Sequence, residues 1–281
     1  MKKLIALLMA MTMVFSFTAC GSKDAGDANV VNTEATEEVA GTETAEQTDL
    51  EYVKEKGTLV VGITDFAPMD YKDAEGNWVG FDADLAKDFA ANLGVEVEFV
   101  EIEWGNKIME LDAKSIDCVW NGMTLTAEVM AAMSCSNAYC NNAQIVIVPV
   151  DKADQYQTVE SLAELTFAVE AGSAGESVAT ELSLTTTPVL DQASALMEVA
   201  AGSADAAIID SLMAAAMVGE GTGYEELTYT VGLNEEKYGV GFRQGSDLTA
   251  ALNDFFKAVY EDGSMMKYAE TYKVQAAVIE Q

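Results

Sequence analysis

The sequence predicts an α/β fold whose folded part is divided into two lobes. Three observations carry that expectation. Short β-branched runs alternate with amphipathic stretches from about residue 50 onward, the alternation restarts after Pro149, and a strand-like segment, Tyr238 to Phe242, follows the second series. Strands alternating with helices imply parallel sheets, and a middle lobe bracketed by pieces of another leaves a cleft near strand ends, where small ligands bind.

The first series opens with Thr58-Leu59-Val60-Val61-Gly62-Ile63, a buried strand by its length and flanks, ending before a turn at Pro68. A helix follows, with Asp82 as its cap, Leu85, Phe89 and Leu93 on its apolar face and Gly94 as its stop. Val95 to Glu101 alternates apolar and acidic residues, the pattern of a half-exposed strand. A short helix through Ile108 and Leu111 leads to the apolar strand Ile116 to Trp120, and Gln144 to Val148 is a further buried strand. In the second series the expected helices are Val159 to Leu165, Ser177 to Leu182, and one opened by Asp191 and closed before Gly202. The expected strands are Thr166 to Glu170, Thr186 to Leu190 and Ala206 to Ile209. Two helices finish the chain, Asp247 to Tyr260 after a Ser246 cap and Met265 to Tyr272.

The N-terminus has a different character. Lys2 and Lys3 precede the apolar run Leu4 to Phe17, and Thr18 and Ala19 stand before Cys20, which is the pattern of an export signal. The run is shorter than the roughly 20 residues that span a bilayer, and no stop-transfer pattern follows. Phe17-Thr18-Ala19-Cys20 resembles a lipobox, so residues 1–20 are expected to be a lipoprotein signal peptide and Cys20 the lipidated residue. Residues 21–50 are mostly Ala, Thr, Glu, Asp and Gly and cannot form a core. They are expected to be an acidic tether reaching on the order of 30 Å.

Composition narrows the function. The formal charge of −32 opposes nucleic acid and anionic lipid as partners. Histidine is absent, which excludes a Ser-His-Asp triad and a His-based metal site. Beyond Cys20 the cysteines are Cys118, Cys135 and Cys140, with no CxxC spacing. Cys118 reads as a core strand residue, and a Cys135–Cys140 bridge stays open. No cofactor is expected. Gly219 to Gly223 lacks the Lys-Ser/Thr of a phosphate loop and reads as a turn.

Several segments together resemble one family. Leu59-Val60-Val61-Gly62, Pro68, Gly80-Phe81-Asp82 with Asp84-Leu85-Ala86, Ile116-Asp117, Asn121-Gly122-Met123-Thr124, Ala138-Tyr139, Asp205-Ala206 with Asp210, Tyr238 to Phe242 and Asp262-Gly263-Ser264 match the extracellular solute-binding proteins of family 3 in order and spacing. These are receptors of polar amino acid importers. The resemblance implies two α/β lobes joined by two hinge strands and closing as a clamshell, with lobe one at 51–146 plus 238–281 and lobe two at 147–237. It also implies a monomer that binds a small molecule outside the cell, anchored to the membrane by the lipid on Cys20, with an ABC permease as partner.

By motif position, Phe66 and Trp104 are expected to sandwich the ligand's side chain. Asn121, Gly122 and Thr124 are expected to meet its ammonium and carboxylate, Ser173 to hold a carboxylate at a helix start, and Asp210 to pair with an α-ammonium. Asp65 and Glu170 are further acids placed toward the cleft. One position departs from the family: its carboxylate-gripping arginine, five residues after the threonine of the Gly-x-Thr segment, is Val129 here. The only arginine, Arg243, falls on the return strand without a matching role. The ligand is therefore expected to be an amino acid or, alternatively, an amine or other cation. A dehydratase-like enzyme using Glu170 as acid, and a sensory rather than transport role, are the remaining alternatives.

Overall fold

The computed structural model describes residues 47–281, and residues 46–281 form one compact unit. Cys20 and the expected export signal lie outside the described residues. The first described helix, α1 (Asp49–Lys56), starts inside the segment expected to be tether. Thr48 and Glu51 explain this, because each side chain satisfies the other's free backbone N–H in a reciprocal cap.

The chain continues through β1 (Thr58–Ile63), the hairpin β2 (Tyr71–Lys72) and β3 (Trp78–Val79), α2 (Phe81–Leu93), β4 (Glu96–Glu101), α3 (Lys107–Asp112), β5 (Cys118–Thr124), α4 (Ala127–Ala132), β6 (Ser134–Cys135) and β7 (Cys140–Asn142). It then forms β8 (Gln144–Pro149), β9 (Thr166–Glu170), α5 (Ala174–Glu181), β10 (Thr185–Val189), α6 (Gln192–Ala200), β11 (Ala206–Asp210), α7 (Ser211–Met217) and β12 (Leu227–Gly232). It closes with β13 (Glu236–Phe242), α8 (Leu248–Glu261) and α9 (Ser264–Thr271).

These strands build two sheets. Sheet one has the order β4-β1-β5-β13-β6, with β7 also paired to β13, and sheet two has the order β10-β9-β11-β8-β12. Both are mixed, which corrects the expectation of parallel sheets. β1 lies parallel to β4 and β5, whereas β13 runs antiparallel to β5, β6 and β7. In sheet two β9 is parallel to β10 and β11, whereas β8 is antiparallel to β11 and β12. The reversed strands, β8 and β13, are those that follow the two passages between sheets, at residue 143 and at 233–235. Alternation with helices fixes direction only inside each βαβ series and carries no information about a strand that enters from the other sheet.

Packing places the polar residues differently from local pattern. Asp82 is not the cap of α2; Gly80 holds that position, and Asp82 is fully buried, accepting from the Gly122 amide at 2.7 Å and the Tyr139 hydroxyl at 2.6 Å. Burial lifts its carboxyl to about 7, against the opposing hydrogen bonds from Tyr139 and Gly122. Val159–Leu162 is a short 3-10 helix rather than a longer α-helix. Asp247, not Ser246, is the N-cap residue of α8, and it makes no side-chain cap; Ser246 stands one residue earlier and accepts from the Leu248 amide at 3.3 Å. Cys118 is a core residue of β5, and Cys118, Cys135 and Cys140 are free thiols.

Candidate functional site

Ends of β5, β9 and β11 and the starts of α3, α5 and α6 surround a cavity of about 240 Å³. Its lining draws residues from both sheets, including Phe66, Trp104, Asn121, Gly122 and Thr124 from one side and Glu170, Ser173 and Asp210 from the other. Eight of the nine residues singled out by sequence are thus brought together. Asp65 is the exception: it is exposed and lines a separate cleft with Glu101 and Asp191. Phe66 beside it is 2% exposed.

Three of these positions are engaged in hydrogen bonds within the protein. Asn121 is saturated by its own lobe: its oxygen accepts from the Thr64 amide and hydroxyl at 3.0 and 2.8 Å, and its amide donates to Asp70 at 2.8 Å and the Thr64 carbonyl at 3.1 Å. It holds the end of β1, from which Phe66 projects. The Gly122 amide is likewise taken, by Asp82 at 2.7 Å. What requires glycine there is space and conformation: φ is +53°, and an added Cβ would stand 2.4 Å from the Phe66 ring. The Thr124 hydroxyl donates to Glu236 at 2.8 Å, which leaves its oxygen lone pairs as the acceptor for a ligand.

Asp210 ends β11 and is 4% exposed. It occupies the N-cap position of α7 without capping it. Its carboxylate instead collects side-chain amides: Gln144 at 2.8 Å and Asn142 on one oxygen, Gln192 on the other. Gln192 also accepts from the Asp210 amide at 2.8 Å, locking the carboxylate's direction. Asn142 and Gln144 donate in turn to Glu236, at 2.7 and 2.8 Å. Two neutral amides therefore bridge two carboxylates at the places where the chain passes between sheets. Burial, and then the Glu236 charge, push the Asp210 carboxyl up.

Glu170 ends β9, is 3% exposed, and has one carboxylate oxygen without a hydrogen-bond partner. Burial raises it to about 8, with the Asp210 and Asp191 charges adding to the rise and Lys107 opposing it. Ser173 caps α5, accepting from the Glu176 amide at 3.1 Å, while Glu176 accepts from the Gly172 amide at 2.7 Å. Gly172 (φ +71°) packs so closely on Gly105 that an added Cβ would stand 2.6 Å from the Gly105 Cα, which seals that side of the cavity. Val129 is buried in an apolar cluster with Trp104 and Met123.

Sequence reading missed Gln192, Gln144, Asn142 and Lys107. Gln192 was findable, since it follows the helix-opening Asp191 as β11 ends nearby; the others meet the site only through the fold.

A model of the bacterial extracellular solute-binding proteins, family 3, matches residues 59–275. The chain belongs to this family. The solute-binding protein is 28% identical over 273 residues to the arginine-binding extracellular protein ArtP of Bacillus subtilis (strain 168), covering 95% of this chain and 96% of that protein. It is 28% identical over 222 residues to the lysine/arginine/ornithine-binding periplasmic protein of Escherichia coli (strain K12), covering 74% and 84%. Among solved structures, a mutant of ArgBP from T. maritima matches with a TM-score of 0.73 and 30% identity, over 80% of this chain and 99% of that one. An ancestral amino acid-binding protein described as a precursor of cyclohexadienyl dehydratase matches with a TM-score of 0.73 and 32% identity, over 79% and 98%. The two sheets of this solute-binding protein are the two lobes of that fold, and the chain is a binding protein rather than an enzyme.

The buried acids give this solute-binding protein a defined response to pH. Their folded-state values lie above the ordinary 4.5 of Glu170 and 3.8 of Asp210, so the folded protein binds more protons than the unfolded chain between those values and about 8. Their contribution to stability is present at low pH and is lost as pH rises through about 8. For a ligand with a cationic group, which favours the ionised acids, the expected outcome is an affinity that rises over the same window and a release of protons on binding. Calorimetric titration at pH 7 in buffers of different ionisation enthalpy measures that release.

Proposed function

We propose that the protein captures an amino acid outside the cell and delivers it to an ABC importer. The observation that carries this reading is a cavity between the two sheets in which the unpartnered oxygen of Glu170 and the amide-braced Asp210 offer negative charge to an ammonium, with Phe66 and Trp104 as apolar walls. Relatives named for arginine, and for lysine, arginine and ornithine, support a ligand carrying an extra cationic group. On this reading residues 1–20 are a signal peptide, Cys20 carries the lipid, the following segment is a tether, and the two lobes close as a clamshell selected by the ligand.

An amine is the second reading, favoured by Val129 where the family's arginine would stand. The experiment is the melting temperature of the purified protein against the standard amino acids, cystine and their decarboxylated amines. Amino acids raise it on the leading reading, and amines alone raise it on the second. If nothing in the panel raises it, both are wrong.

A further inference from the structure

Resting on that reading of the cavity, we infer that Lys107 holds the ligand's carboxylate and so makes this site select zwitterions over amines. Lys107 is the only lysine or arginine lining the cavity. It opens α3, three residues after Trp104, and is 8% exposed. Its ammonium carries three donors, of which two are used, on the carbonyls of Trp104 at 3.2 Å and Gly172 at 3.0 Å. Both acceptors are neutral. Among the described residues no carboxylate oxygen lies within 4.0 Å of it, so this buried cation has no direct ion-pair partner; the Glu170 and Glu128 carboxylates of the same cavity act on it only from further away, and burial works against its charge.

Glu170 presents the opposite deficiency, a buried carboxylate oxygen without a donor, in the same cavity. The two form no ion pair within 4.0 Å, although each lies in the other's field: the Glu170 charge raises Lys107 and the Lys107 charge lowers Glu170. A molecule with an anion at one end and a cation at the other completes both at once. The Gly172 carbonyl that Lys107 grips belongs to the loop leading into α5. A carboxylate beside Lys107 therefore also faces the positive end of α5, where Ser173 and Glu176 already occupy the Glu176 and Gly172 amides. An amine supplies the cation for Glu170 and Asp210 but leaves Lys107 unpaired, which is the basis of the selectivity.

The test compares Lys107→Met and Lys107→Arg with the unaltered protein, titrating the tightest-binding amino acid of the panel above and its decarboxylated amine. We expect the unaltered protein to prefer the amino acid, and Lys107→Met to weaken it about 10- to 100-fold while the amine's affinity holds. Lys107→Arg restores most of the preference, and the amine's affinity reports that the variant is folded. If Lys107→Met keeps the preference, or weakens amino acid and amine alike, the carboxylate role is wrong although the amino acid reading stands. Binding of amines alone, or of neither class, by the unaltered protein refutes the amino acid reading and this inference with it.

Discussion

Asp210→Ala removes ligand binding to the extent that a titration at millimolar ligand shows no saturation. Truncating a buried carboxylate that pairs with a ligand cation costs about 2–5 kcal/mol, because the partner's charge is left unpaired. Three side-chain amides, from Asn142, Gln144 and Gln192, converge on this carboxylate. Truncation therefore also releases Asn142 and Gln144, which hold Glu236 next to the passages between lobes. Affinity falls through lost charge and through a loosened frame. Glu170→Gln separates the two effects, since it deletes a cavity charge while leaving Asp210 and its three amides in place, altering only the contact that Glu170 shares with Gln192; it weakens binding by a smaller factor. Calorimetric titration of the three proteins side by side checks the order.

Arg243→Met lowers stability by about 3–5 kcal/mol, on the order of a 10 °C drop in melting temperature, and leaves relative ligand affinities unchanged. Arg243 is buried in lobe one and joins distant parts of it. It pairs with Asp49 of α1 at 2.9 Å and with the fully buried Asp117 at 3.4 Å, and donates to the Ile116 carbonyl at 2.9 Å. Asp117 keeps Lys56, at 2.5 Å, but Asp49 loses its partner. The chain's single arginine is thus spent on the lobe's frame rather than on the ligand, which explains why no site role matched it. Chemical denaturation of the variant, with and without ligand, measures both parts of this expectation.

How far the molecule was legible in its sequence follows from the range of the interactions involved. β1, β4, β5, β9, β11 and the long helices declare themselves by local periodicity, and Asp210 and Phe66 by the motifs around them. Strand direction was not legible for β8 and β13, because nothing local records which sheet a strand has arrived from. Asp82 has the spacing of a cap, yet its partners, Gly122 and Tyr139, are 40 and 57 residues away, and those long-range bonds draw it inward. The amide frame of Asp210 has the same origin: Asn142 and Gln144 lie 68 and 66 residues before it. Lys107 reads locally as one more charged residue on a short helix, and only the approach of the Gly172 loop encloses it. Val129 was legible as a missing cation, but the location of another was not.

On the function proposed above, one zwitterionic ligand binds between Glu170 and Asp210 on one lobe and lobe one on the other. The most direct measurement is a calorimetric titration of the purified protein with the amino acid that most raises its melting temperature, repeated on Asp210→Ala and Glu170→Gln. The expected result is a single site, released protons near pH 7, and binding lost in the first variant and weakened in the second. Stoichiometric binding of unchanged affinity in both variants would place the ligand elsewhere and contradict it.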